Sequence, residues 1–191
     1  VGIVNYATAN ELYKMGARRI VLAREVGIEE IKRIRDKIPD DMEIEAFVHG
    51  AMCVSYSGRY LLSNFFSGRD ANRGACAQPC RWNYTIRGYE IEEEKRPDLR
   101  MPLEEVNGET FIMASRDTCT IEHIPELVEA GIDSFKIEGR MKSPEYVRDT
   151  ARIWRRLLDE RRAATSEELK LLAGVFSRGG FTDGYFTEKI G

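Results

Sequence analysis

An alternation of strand-like and helix-like segments restricts what this chain can fold into. Short runs rich in β-branched residues, each long enough for one strand, are separated by amphipathic stretches of helix length. Residues 3–5, 19–23, 43–49, 110–114 and 133–137 read as strands, and 10–15, 29–37, 121–130 and 143–162 as helices. Gly16 and Gly131 stop two of the helices, and Ser143-Pro144 supplies a cap and a first turn for the longest. Repeated strand–helix units call for a parallel sheet.

Two parallel architectures compete, an open sheet and a closed barrel. No glycine-rich fingerprint follows the first strand and there is no phosphate loop. Glu43, Glu45, Phe47 and His49 share one face of their strand, and Lys136, Glu138 and Arg140 oppose Phe135 and Ile137. A polar face turned to a lumen, with an apolar face under helices, is how a barrel strand reads near its active end. The expected fold is therefore α/β: the C-terminal half of a (β/α)8 TIM-type barrel over residues 1–165, with a long cysteine-bearing insertion at about 50–108. An open sheet with one polar face is the alternative. Residues 84–90 have the pattern of a hairpin inside the insertion, and 166–191 read as the start of a linker. A chain that opens on Val1 and at once enters a strand reads as part of a longer protein.

A length of 191 residues is enough to bury one core. No apolar run approaches the ~20 residues of a membrane helix, and no secretory leader is seen, so a cytoplasmic protein is expected. The net charge of −3 excludes a polycation, so any contact with nucleic acid must fall to local basic patches.

All four cysteines lie between positions 53 and 119. In a reducing compartment such grouping points to metal or redox chemistry, not disulfides. Cys76 and Cys80 form a C-x3-C pair interrupted by Pro79, a spacing within the usual ligand range. Cys53 and Cys119 each follow an expected strand by four or five residues, where the loops of a barrel's active face emerge. Four thiolates suit zinc or an iron–sulfur cluster, and spacing does not choose between them.

Residues 45–59, with His49, Cys53 and Ser57-Gly58-Arg59, form a distinctive block. Others are Arg69 to Gly74, Cys76 to Trp82, Lys136 to Ser143 and Val21 to Glu25. Together these segments resemble the collagenase-like peptidase family across nearly the whole chain. The resemblance implies a (β/α)8 barrel. It also implies one of two activities: proteolysis, or hydroxylation of RNA or quinones by members that carry a 4Fe-4S cluster on four cysteines. Among members it is nearest to the bacterial proteins that make 5-hydroxyuridine at the wobble position of tRNA, with prephenate linked to the pathway. It marks Cys53, Cys80 and Cys119 as ligands, with Cys76 in place of a further cysteine. The family signature commonly ends Ser-Gly-Arg-Cys, and Tyr60 stands at its last position.

A serine peptidase needs a serine, a histidine and a carboxylate within reach of one another. His49 and His123 are the two histidines, and there is no H-E-x-x-H helix. The residues thus offer no peptidase mechanism. Hydroxylation finds more. Arg59, Arg69, Arg73, Arg81 and Arg140 are candidates for phosphate or dicarboxylate binding, against ordinary surface pairing. Trp82 and Tyr84 are candidates for base stacking, against core packing. His49, Glu45, Lys136 and Glu138 are the candidates for substrate positioning or proton transfer, against a structural ion-pair network. A zinc-stabilised RNA-binding module is a further alternative. The arginines of the long helix at 143–162 read as a solvated face, with RNA contact as the lesser reading.

Overall fold

The computed structural model describes residues 2–82, 91–93, 96–101, 115–140, 142–177 and 179–187. Chain contacts divide it into two units, residues 1–52, 56–58 and 116–191 in the first and 53–55 and 59–115 in the second.

The first unit is mixed α/β. Helix α1 (Tyr6–Lys14) is capped by Asn5, whose side chain accepts from the Thr8 amide at 2.9 Å. It leads to β1 (Arg19–Val21), then to α2 (Ile28–Arg35), which buries Ile31 and Ile34. The long strand β2 (Glu43–Ala51) follows. After the second unit the chain returns with β5 (Asp117–Cys119), α4 (Ile124–Glu129) and β6 (Ser134–Ile137). Helix α5 (Pro144–Glu160) is capped by Ser143 as its sequence requires, and buries Tyr146, Thr150, Trp154 and Leu157 at helical spacing. Helix α6 (Ser166–Val175) starts in a capping box between Thr165 and Glu168, and β7 is Phe181–Thr182. Residues 166–187, expected to begin a linker, thus hold a helix and a strand of this unit.

Strand β2 is the hub of the sheet. It pairs parallel with β1 and β6. It also pairs antiparallel with β5, which in turn pairs parallel with β7. The half barrel expected from the sequence calls for parallel strands; the described strands form a mixed sheet, parallel at β1–β2–β6 and antiparallel at β2–β5. Ile20, Leu22, Ile44 and Val48 of the sheet pack with Ile31, Ile34, Leu127, Trp154 and Leu157 of the helices. At about 25 cal/mol per Å2, this apolar burial is the main stabilising term of the unit.

In the second unit, α3 (Leu62–Ser67) is followed by short 3-10 turns at Ala71–Arg73 and Pro79–Arg81. Strands β3 (Ile91–Glu93) and β4 (Arg96–Met101) form an antiparallel pair. The hairpin expected at 84–90 and the strand expected at 110–114 lie outside the described residues. No described helix is long and apolar enough to cross a membrane.

Candidate metal centre

Cys53, Cys76 and Cys80 belong to the second unit. Its local fold is organised around Ser63, which is fully buried. The Ser63 hydroxyl donates to the Arg69 carbonyl at 2.7 Å and accepts from the Ala77 amide at 2.9 Å. This ties the cysteine loop back to α3. Asp70 caps the first 3-10 turn through the Asn72 amide, and Gly74 ends it in the left-handed region, where a side chain would be strained. Gln78 is also left-handed, at φ 55°, which turns the chain sharply between Cys76 and Cys80. In that turn the Gln78 amide donates to the Cys76 sulfur at 3.3 Å. Such N–H···S contacts stabilise a thiolate and tune a metal bound to it.

Cys80 is buried beside Tyr60. Burial pushes its thiol up, and the neighbouring Cys53 and Cys76 act in the same sense, while Tyr60 and Arg81 oppose them. The Tyr60 hydroxyl is 4% exposed as a residue and closes no hydrogen bond of good geometry. Burial raises it too, and its neighbours are the thiol and the backbone N–H of Cys80. Among the described residues no group of three or more His, Cys, Asp or Glu side chains is arranged around a single ion. Thiolates sharing one zinc lie about 3.8 Å apart when each Zn–S bond is about 2.3 Å. The three thiols here are electrostatic neighbours without that convergence. The donor set fits a thiolate-bound group in its chemistry: sulfur ligands, an amide aimed at one sulfur and an orphaned hydroxyl beside another.

Cys119 lies in the first unit, on β5, where burial pushes it up to about 12. The arginines separate. Arg59 and Arg73 are exposed, Arg73 pairing with Asp70 at 3.5 Å. Arg140 is exposed, and its amide donates to Glu138 at 2.6 Å. Arg81, a candidate for phosphate or dicarboxylate binding, is buried next to Cys80, because the 3-10 turn at Pro79 carries it inward with that thiol. Trp82 is exposed and its indole N–H donates to the Ala77 carbonyl at 3.3 Å. Tyr84 lies outside the described residues. On α5, Arg148, Arg155 and Arg156 are committed to Asp149, Asp159 and Glu168.

Glu45 and Lys136, expected on one face, meet at 2.5 Å, with Ser134 donating to the same carboxylate at 3.1 Å. Although burial works to raise it, these hydrogen bonds and the Lys136 charge hold Glu45 below the ordinary carboxylate range. His49 is enclosed by the rings of Tyr146, Trp154 and Phe181 at 5.6–6.2 Å. Burial drives its pKa down to about 4, against the pull of Asp117, so it is neutral at physiological pH. Residue spacing did not disclose two further features. Asp117 and Lys142 form an ion pair at 3.4 Å with side chains 2% and 8% exposed. Arg24 joins Phe47, His49, Glu138 and Tyr185 around a small cleft.

The model of Peptidase family U32 matches residues 1–191. The chain is similar to tRNA hydroxylation protein P of Escherichia coli (strain K12), 37% identical over 95% of this chain and 48% of that protein. It is similar to a collagenase of Porphyromonas gingivalis, 35% identical over 96% of this chain and 45% of that protein. The 23S rRNA 5-hydroxycytidine C2501 synthase of Escherichia coli is 37% identical over 79% of this chain and 21% of that protein. The chain spans about half the length of the first two relatives. No solved structure matches it.

Proposed function

Because the chain belongs to Peptidase family U32, whose members here include RNA-hydroxylating proteins, we propose that it is part of an enzyme that hydroxylates RNA, and specifically the wobble uridine of a tRNA in a prephenate-linked reaction. The carrying observation is the thiol cluster: Cys53, Cys76 and Cys80 as neighbours, with the Gln78 amide on the Cys76 sulfur. These residues would hold an iron–sulfur group. The group supplies one-electron chemistry when bound. Arg81, buried beside Cys80, offsets the negative charge of the bound thiolates. Exposed Arg59 and Arg73 offer charge to RNA phosphate. The parallel β1–β2–β6 core is, in this reading, a section of a (β/α)8 barrel completed by the rest of the whole protein.

Proteolysis is less well supported. His49 is neutral, buried and ringed by aromatic side chains, and the Cys119 thiol is held protonated in the core. Neither is the activated nucleophile or exposed base that peptide hydrolysis needs. The test is the iron, sulfide and zinc content of anaerobically purified whole protein, together with wobble-uridine hydroxylation in cells relying on Cys53→Ser, Cys76→Ser or Cys80→Ser variants. Iron and sulfide with lost hydroxylation support the reading. Zinc alone, or hydroxylation intact in all three variants, sinks it, and cleavage of gelatin by metal-free protein would move proteolysis to the front.

A further inference from the structure

The second unit leaves three aromatic rings open to solvent. Phe65 is 81% exposed, Phe66 48% and Trp82 39%. Side chains of this size normally turn inward, and several exposed together mark a contact surface. These three touch in series. The ring centroids of Phe65 and Phe66 lie 5.2 Å apart at 74°, and those of Phe66 and Trp82 lie 6.0 Å apart at 50°. The surface also has a fixed base. Both phenylalanines are carried by α3, where Ser63 binds the Arg69 carbonyl and the Ala77 amide. The Trp82 indole N–H is engaged by the Ala77 carbonyl at 3.3 Å, so the indole offers its apolar ring outward.

Charge selects the partner. Residues 54–82 carry four arginines against one acid, Asp70, in a chain of net charge −3. Arg59 precedes α3 and Arg69 follows its Gly68 cap. Both are exposed and form no ion pair among the described residues. Arg73 is exposed too, and pairs loosely with Asp70 at 3.5 Å. The core of a protein–protein contact is depleted of charge, which disfavours an apolar protein partner here. A single-stranded nucleic acid presents flat apolar bases and a phosphate at every nucleotide, so it matches rings and arginines together.

We propose that Phe65, Phe66 and Trp82 form a stacking platform for unpaired bases of an RNA loop, with Arg59 and Arg69 on its phosphates. Stacking needs only an open ring face and reads no sequence, so the platform holds looped-out nucleotides without choosing among bases. Paired bases bury their faces against one another, and a duplex is therefore excluded from it. The inference rests on the RNA-hydroxylating reading above and adds to it the surface that grips the RNA.

The experiment uses the whole protein and two fluorescein-labelled probes, a short oligouridine and the duplex it forms with oligoadenosine. Fluorescence anisotropy over a salt series reads the binding. Wild type should bind the single strand about tenfold or more tighter than the duplex. Phe65→Leu keeps an apolar helix former on an exposed site and removes only the ring. It should weaken single-strand binding about five- to a hundredfold, while Phe65→Tyr binds as wild type does. Arg69→Gln should weaken binding and reduce the salt slope by about 0.7. Phe65→Leu binding as tightly as wild type, or a duplex bound as tightly as the single strand, overturns the platform and leaves the hydroxylation reading standing. So does a Trp82 already shielded from acrylamide in the RNA-free whole protein, read as the emission lost in Trp82→Phe, because the rings are then covered from within. Wild type that binds neither probe nor an intact tRNA overturns both.

Discussion

There is no room for a methyl group between Gly50 and Glu138: a Cβ at Gly50 would lie 2.5 Å from the Glu138 carbonyl oxygen. Gly50 sits at φ 106°, a region that side chains rarely adopt. One residue earlier, the His49 carbonyl accepts from the Glu138 amide at 2.8 Å, which closes β2 against the segment leaving β6. Backbone therefore meets backbone where the small cleft is lined by His49, Gly50 and Glu138.

Gly50→Ala should consequently destabilise the protein by about 2–4 kcal/mol, from the steric conflict plus backbone strain. Gly68 also has a left-handed φ, but a Cβ there meets nothing within 4 Å. Gly68→Ala should cost only about 1 kcal/mol. Urea unfolding of the two variants checks the difference, and equal losses would show that Glu138 yields freely.

The pair of Asp117 and Lys142 is buried, so breaking it and removing it should differ. Lys142→Met leaves a carboxylate in the core and should cost about 3–5 kcal/mol. The double variant Asp117→Leu with Lys142→Met should recover much of that loss. A double-mutant cycle by denaturant unfolding reads the coupling, and additive losses would show that the pair contributes no interaction of its own.

Some of this was legible in the sequence and some was not. The apolar spacing of α2 and the Ser143-Pro144 start of α5 were sufficient to place those helices, because both signals are local. The Glu45–Lys136 contact followed from simple alternation. His49 departs from that alternation because the β2–β6 register shifts between Phe47 and His49, and the sequence carries no mark of the shift. Strand β5 was missed for another reason. Asp-Thr-Cys reads as a loop, yet all three residues are buried, with Asp117 matched by Lys142 across 25 positions. At the candidate centre, cysteine spacing singled out Cys53, Cys76 and Cys80, which share the second unit, while Cys119 lies in the first. The burial of Arg81 and the orphaned Tyr60 hydroxyl depend on the Ser63 tether, which is a tertiary fact.

His49 gives the protein a pH signature. Its folded pKa of about 4 lies below the ordinary 6.5, so unfolded chains bind the proton first as pH falls. Stability is full above about pH 6.5 and declines toward pH 4, by up to about 3 kcal/mol at 1.36 kcal/mol per unit. His49→Phe should flatten the melting temperature across that window. An unchanged slope in the variant would assign the loss to other groups.

The thiols should differ in reactivity once metal is removed. Alkylation needs access and a thiolate, and both requirements disfavour Cys80 and Cys119. Cys53 and Cys76 are part-exposed, whereas Cys80 and Cys119 are buried. Burial also raises both of the latter, Cys119 to about 12, so at pH 8 almost none of it is ionised. Timed treatment of native, metal-free protein with iodoacetamide, read by peptide mass spectrometry, should label Cys53 and Cys76 first and Cys119 only on unfolding. Bound metal should then protect Cys53 and Cys76 despite their exposure, since a ligated thiolate is no longer free to attack. Equal labelling of Cys53 and Cys76 with and without bound iron would remove them from the ligand set, because exposure alone would explain their reactivity.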